Sequence, residues 1–475
     1  MNIKNLIKNT FFYTITKYFV IGISFFKSIL VAKYLGPTLL GSYAYISLII
    51  EYLSYYNLGV YSSMNREVSI NYGDASKEKY IQKVFNTSLS FSLVLLAPII
   101  IISIIIYWII PDIFPDDIRE YVLIILAILF FVQFRYYFLR YFRLYERYYI
   151  IIIFELVSNL AILFGVLLFV PKYSLPGLIY SLLVSNLLIF VISIMCIKHK
   201  LQFTLNASLV KKLVFAGIPL LFYALGEKLF ISIDRIMILK YFTLADLGQY
   251  QLGKTMAYGA LMSLDALLFI FYPKILKYLH INDKENKSRS TRSNDLIKIT
   301  NYFDVLTIPI ILMGIILLPP FIGFVLPNYS ASIYITKILL LGYGFQNLIF
   351  TPSSYLVAND QQKKLAPIIV IALLFMVIGN YSAIKLGYGM NGIVMATSMI
   401  YLIYALLVFI ACFRHLGEKV IKNTIVVIWK RLFFFLITLV IINNDYNIYL
   451  LIFPYLTIYG PATLKSIREL KLRIL

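Results

Sequence analysis

Glu227, Lys228, Asp234 and Arg235 stand within one apolar stretch of the chain, where ionised side chains are expensive. At helical spacing Glu227 and Asp234 share a face, and Lys228 and Arg235 share the face beside it. Lys17 and Lys27 interrupt the first apolar stretch and Glu51 the second. Lys254 and Asp265 share a face of the eighth, with Tyr258 between them. Glu155, Asp304 and Lys337 are scattered through the fifth, ninth and tenth. Each such charge costs at least about 2.5–3.5 kcal/mol at the centre of a membrane helix, so each needs an opposite charge or water. Two arrangements meet that need. One is a water-filled cavity between two lobes, lined with both signs. The other is a set of interhelical salt bridges, Glu227 with Lys254 or Asp234 with Lys27, while Lys27 and Lys337 snorkel outward. The concentration of charge on spans 1, 2, 7 and 8 favours the cavity.

Catalytic chemistry is not written in the same residues. There is no glycine-rich phosphate loop followed by Lys-Ser/Thr, no zinc-spaced His or Cys, and no pair of carboxylates in an outer loop. The reading is therefore not an enzyme, and no cofactor or metal is expected. Cys196 and Cys412 read as small buried side chains near helix ends, not as a disulfide framework.

The elements that carry these charges are membrane helices. Of 475 residues 61% are apolar and 14% charged, against about 45–50% and 25% in soluble domains. The apolar runs divide into about fourteen spans of roughly 20 residues each. Among them are a second at 40–60, a ninth at 299–325, a tenth at 332–355, and a final pair at 424–443 and 446–463. The N-terminal stretch from about Thr10 to Leu35 is too long for a signal peptide's apolar region of roughly 7–15 residues, and reads as the first span. With the N-terminus inside, thirty-two of the forty-three basic residues fall on the inner segments. Only Lys33, Arg119, Lys172, Lys240 and Lys385 fall on the outer ones. The net charge of +21 is thus a topology signal, with both termini cytoplasmic, and calls for no nucleic acid. Contact with anionic membrane lipid is a secondary use of the same charge. Outer loops are short. The longest loop, Leu276 to Ser293, is polar and basic and is expected to be mobile.

A fragment repeats at an offset of 207 residues. Lys33-Tyr34-Leu35-Gly36-Pro37-Thr38-Leu39-Leu40-Gly41-Ser42-Tyr43 and Lys240-Tyr241-Phe242-Thr243-Leu244-Ala245-Asp246-Leu247-Gly248-Gln249-Tyr250 both read K-Y-x5-L-G-x-Y. Each joins two spans on the outer side, six spans apart. That predicts an all-α polytopic fold with two six-helix lobes related by a pseudo-two-fold along the membrane normal, plus two C-terminal helices. The expected domains are 1–205, 206–415, and a terminal pair with its cytoplasmic tail at 416–475.

The spacing Phe215-Ala216-Gly217-Ile218-Pro219-Leu220-Leu221, then Asp234-Arg235, then Leu247-Gly248-Gln249-Tyr250, resembles the seventh-span region of polysaccharide-unit flippases. These are the O-antigen and capsule repeat-unit transporters of the multidrug/oligosaccharidyl-lipid/polysaccharide exporter superfamily. The opening, with its basic start and Lys33-Tyr34-Leu35-Gly36-Pro37, is similar to theirs, and the resemblance covers essentially the whole chain. It implies alternating access in the bacterial cytoplasmic (inner) membrane. The implied substrate is an oligosaccharide repeat unit on undecaprenyl diphosphate, moved from inner to outer leaflet, with H+ or Na+ coupling and with membrane lipids as further partners. Other membrane proteins of polysaccharide assembly are expected partners. On this reading Lys17, Lys27, Lys228, Arg235 and Lys254 contact the diphosphate or acidic sugars. Glu51, Glu227 and Asp234 couple the ion, and some of the 40 tyrosines stack on sugars. A multidrug/cation antiporter and a peptidoglycan-precursor flippase of the same superfamily remain as alternatives.

Overall fold

A computed structural model describes residues 3–114, 116–197, 201–262, 264, 288–359, 361–417, 419–444 and 446–461. Asp265, the basic loop up to residue 287 and the basic tail beyond 461 lie outside the described residues. Among the described residues all regular structure is helical, as hydrocarbon requires: only a helix or a closed barrel satisfies every backbone polar group there. Eleven of the helices are long and apolar enough to cross a membrane. The first, Thr16–Leu53, holds two expected spans across a kink. The eighth expected span is helical over 244–262, and the fourteenth is the shorter apolar helix Ile448–Ile458. The chain is a multi-pass, all-helical membrane protein of the expected class.

The chain forms two compact units, Met1–Lys228 and Leu229–Leu475. In the first, α1 (Ile3–Leu53) turns at Gly36, whose φ of 71° suits glycine, and Pro37 opens the second limb. The second span was expected to run unbroken over 40–60. Instead the helix stops at Leu53, a turn occupies 54–59, and α2 (Val60–Asn71) continues the path. Leu58 and Gly59 both take positive φ in this break. Gly59 is required for a second reason. A Cβ on it would lie 2.2 Å from the carbonyl oxygen of Gly217, so the two backbones cross with no room for side chains. Asn57 steadies the turn, its Oδ1 accepting from the Gly59 amide at 3.1 Å and its Nδ2 donating to the Ser54 carbonyl at 3.2 Å.

The rest of the first unit is α3 (Glu78–Ile109), α4 (Val122–Leu144), α5 (Tyr148–Leu168), α6 (Val170–Cys196) and the start of α7 (Ala207–Tyr241). Its core is aromatic. Phe85, Tyr137, Phe138, Tyr141, Phe142 and Phe154 are at most 1% exposed, and Phe85 meets Tyr141 edge-on at 5.0 Å. Large rings fill space between helices where lipid offers no hydrophobic drive and packing must supply the cohesion.

The second unit takes the end of α7, α8 (244–262), α9 (Arg289–Val325), α10 (Ser330–Leu348), α11 (Phe350–Ala358), α12 (Leu365–Lys385), α13 (Gly389–Leu416), α14 (Val420–Asn443) and α15 (Ile452–Ile458). The corner between α7 and α8 is the second copy of the repeat, built by a different device. Thr243 and Asp246 form a reciprocal cap, with Thr243 Oγ1 accepting from the Asp246 amide at 3.2 Å and Asp246 Oδ2 from the Thr243 amide at 3.1 Å. Small residues bring helices close: a Cβ on Gly342 would sit 2.6 Å from Ser398 Oγ. The ninth helix starts earlier than the expected 299. Ser288 caps it by accepting from the Thr291 amide at 3.1 Å, so residues 289–293 of the expected mobile loop are helical.

Candidate functional site

Among the described residues the expected site charges fall into three groups, two in the first unit and one in the second. The first group is organised by α5. Glu155, Ser158 and Asn159 lie at i, i+3 and i+4, on one face of that helix. Lys17 of α1 binds Glu155 Oε1 at 2.6 Å. Lys27, also of α1, donates to Asn159 Oδ1 at 2.9 Å. Arg135 of α4 donates to Ser158 Oγ at 3.2 Å, and that hydroxyl meets Ser185 Oγ of α6 at 3.0 Å. Three cations therefore meet one face of α5, where only one of the three acceptors, Glu155, is charged. Lys27 and Arg135 have only neutral acceptors among the described residues, and each lies within the other's field.

The second group lies at the break in the second span. Glu51 pairs with Lys228 at 2.5 Å, both side chains partly exposed. Glu227 accepts from the Tyr223 hydroxyl one turn earlier on α7, at 2.9 Å. Tyr55 lies within electrostatic reach of Tyr52, Tyr136, Glu51 and Glu227. The Arg140 guanidinium lies 5.5 Å from the Tyr61 ring centre and 5.9 Å from that of Tyr136.

The third group centres on Asp234, which is 2% exposed. The Tyr250 hydroxyl donates to its Oδ2, Lys254 Nζ stands 3.3 Å from the same oxygen, and the Arg235 amide donates to Oδ1 at 2.7 Å. Lys254 also donates to the Ile231 carbonyl at 2.6 Å, which ties α8 back to α7. Arg235 itself is buried, at 7% exposure.

Each expected site residue thus has a place, though not the partners first suggested for Glu227 and Asp234. Lys254 is the partner of Asp234, Asn159 that of Lys27, and Tyr223 that of Glu227. Two residues were missed. Arg135, not among the expected site residues, lies well inside α4 and turns toward α5. Arg431, also not among them, lies inside α14 with its side chain 3% exposed. It donates to Asp304 Oδ1 and to the Gly344 carbonyl, fastening α14 to α9 and α10. In both cases the signal was available: each arginine lies in the interior of an apolar helix.

A family model described as polysaccharide biosynthesis protein matches residues 30–328. Comparison with curated proteins finds no match. Solved structures share the fold. The lipid II flippase MurJ in an inward closed conformation superposes with a TM-score of 0.69 at 19% identity, covering 97% of this chain and 99% of that one. An inward-facing multidrug resistance MATE family transporter of the MOP superfamily gives 0.69 at 12% identity, over 85% and 95%. The Vibrio cholerae MATE transporter VcmN in its bent form gives 0.54 at 14% identity, over 88% and 99%.

Proposed function

The chain belongs to the polysaccharide biosynthesis protein family, and from that premise we propose that it is a flippase for lipid-linked oligosaccharides. The substrate is a repeat unit of O-antigen or capsule on undecaprenyl diphosphate. It is carried from the inner to the outer leaflet of the bacterial cytoplasmic membrane by alternating access. The observation that carries the reading is the face of α5 on which Lys17 binds Glu155 while Lys27 and Arg135 bind only the neutral Asn159 and Ser158. Half-buried cations held by neutral acceptors suit a diphosphate, which brings the missing negative charge and strong acceptor oxygens. The sugars and phosphates cannot enter hydrocarbon, but the polyprenyl tail remains in it. Lys228, Arg235 and Lys254 are the remaining expected substrate contacts. Here Lys228 and Lys254 already hold carboxylates, so they serve as exchangeable partners and not as open anion sites.

Of the three carboxylates expected to couple an ion, Asp234 is the best suited. It is enclosed, and its charge is balanced by a lysine that a proton or sodium ion would displace. Glu51 and Glu227 hold more exposed positions. The test is transport of a fluorescent undecaprenyl-diphosphate oligosaccharide between leaflets of liposomes containing the purified protein. Lys27→Ala and Arg135→Ala should slow it by about tenfold or more while the protein stays folded. Unchanged rates in both would remove the site assignment. Drug-cation efflux without lipid transport would move the function to multidrug antiport, and transport of lipid II alone to peptidoglycan-precursor flipping.

A further inference from the structure

One end of the second unit, where α9, α12 and α14 begin and α11 and α13 finish, gathers bases from separate segments of the chain. Arg289 lies over the turn between α13 and α14, where a Cβ on Gly417 would stand 2.8 Å from its Nη1. Lys364, just before α12, brings its Nζ to 3.4 Å from His415 Nδ1 of α13. The His415 ring centre is in turn 6.1 Å from that of Tyr355 on α11. Lys419 and Lys422 follow Gly417 closely in the chain, and Asn423 Nδ2 donates to Ser293 Oγ at 2.8 Å, which holds α14 to α9 at this level. Arg289, Lys364, Lys419 and Lys422 are all exposed, and none of the four pairs with a carboxylate among the described residues.

Positive charge at this end follows from topology, but its concentration does not, because dispersed bases obey the same rule. Segments 289–298, 359–364 and 414–422 hold eight Lys or Arg against three Asp or Glu, so an excess remains even if every acid finds a base. Two of those acids, Asp360 and Glu418, lie outside the described residues. Helix ends do not offset the excess. Each carries about half an elementary charge, and three positive beginnings outweigh two negative ends. Bases drawn together in this way suit a shared anion.

The adjoining surface says which anion. Lys422 shares a face of α14 with Ile425 and Val426, at i+3 and i+4. Ile421, Ile425 and Trp429 recur every fourth residue and are 74%, 56% and 46% exposed, an apolar stripe turned toward hydrocarbon. Trp429 lies about 15 Å along the helix from Lys419. A soluble phosphate would use the bases alone. A phospholipid uses both features, its phosphate on the bases and an acyl chain along the stripe.

We propose that Arg289, Lys364, Lys419 and Lys422, with the stripe Ile421, Ile425 and Trp429, form a site for an anionic phospholipid. It belongs to the leaflet at this end of the helices, the inner one in the expected topology. The site uses none of the residues assigned to transport and is independent of which substrate is carried.

The test uses the full chain in nanodiscs. The protein has two tryptophans, so Trp108→Phe leaves Trp429 as the single fluorescent reporter. Phosphatidylcholine discs are doped with phosphatidylglycerol or phosphatidylcholine bearing brominated acyl chains, and quenching of Trp429 is read. Brominated phosphatidylglycerol should quench at a mole fraction about tenfold below that of brominated phosphatidylcholine. Arg289→Gln with Lys364→Gln should remove most of this preference, since each base at a membrane surface is worth a factor of about five in anionic-lipid affinity. Arg289→Lys with Lys364→Arg, which keeps the charge, should retain it. Lys79→Gln with Lys83→Gln, an equal loss of charge in the first unit, should leave it intact. Equal quenching by the two lipids would overturn the site. An equal loss in the Lys79 and Lys83 variant would overturn it in favour of a general field of the inner charges. A preference erased by inorganic phosphate, but not by chloride at the same ionic strength, would replace the lipid with a soluble phosphate.

Discussion

The two copies of the repeated corner place different chemistry at matching positions. At the offset of 207, Lys27 corresponds to Asp234, Tyr43 to Tyr250 and Ser47 to Lys254. In the second unit these positions close on themselves: acid, phenol and amine form one buried cluster. In the first unit the same positions hold a base, a phenol and a small hydroxyl, so Lys27 must look elsewhere and finds a neutral amide on α5. The pattern extends beyond the corner. The first unit's ion pairs, Lys17 with Glu155 and Lys228 with Glu51, keep roughly a fifth to two-fifths of each side chain exposed. In the second, Arg431 and Asp304 are each 3% exposed. One unit holds charge that is available, the other charge that is already spoken for.

That contrast can be broken or sharpened by mutation. The largest effect should come from Arg431→Ala or Asp304→Ala. Removing one member of a buried pair leaves the other uncompensated, at about 3–5 kcal/mol, read as a lower unfolding temperature in detergent. Replacing both together, Asp304→Leu with Arg431→Met, should restore most of the loss, because a well-packed apolar pair can match a buried ionic one. If the double variant is as unstable as the singles, the pair does more than balance charge.

Asp234→Asn comes next. It keeps the shape but weakens the hold on Lys254, and it should cut driven transport by about tenfold, ~1.4 kcal/mol of barrier, and abolish its response to an imposed ion gradient. A gradient response that survives would move coupling to the first unit.

Lys17→Ala should change stability by no more than about 1 kcal/mol, as for other partly exposed pairs, while weakening binding of polyprenyl diphosphate several-fold. An unfolding temperature that falls as far as in the Arg431 variants would erase the distinction between the units. The smallest effect is expected of Lys212→Ala. Its pairing with Glu67 is 2.6 Å long but leaves the lysine 55% exposed, so the loss should stay within about 0.5 kcal/mol, shrink in salt and leave transport unchanged.

Much of the fold was legible because hydrocarbon allows so few solutions. Runs of about 20 apolar residues located the helices, and the tyrosine and glycine of the repeated fragment marked two corners. The break at 54–59 was not legible in hydropathy, since Tyr52, Leu53, Tyr55 and Tyr56 read as span. The signal lay in turn chemistry, in Asn57-Leu58-Gly59 with its two residues of positive φ. The charges within the apolar helices were legible as a set, because a charge in an apolar run stands out by type alone. Their partners were not. Lys17 and Glu155 are 138 positions apart, and only the packing of α1 on α5 shows that they meet. Arg135 and Arg431 carry the same signal, since both lie in the interior of apolar helices.

The crossing of Gly59 on Gly217 has a consequence for biosynthesis. The break in the second span is locked by a residue that leaves the ribosome roughly 150 residues later, a delay of about ten to thirty seconds at ordinary elongation rates. Throughout that interval the break at 54–59 lacks its contact with Gly217. The arrival of α7 therefore completes the unit that precedes it before it begins the one that follows.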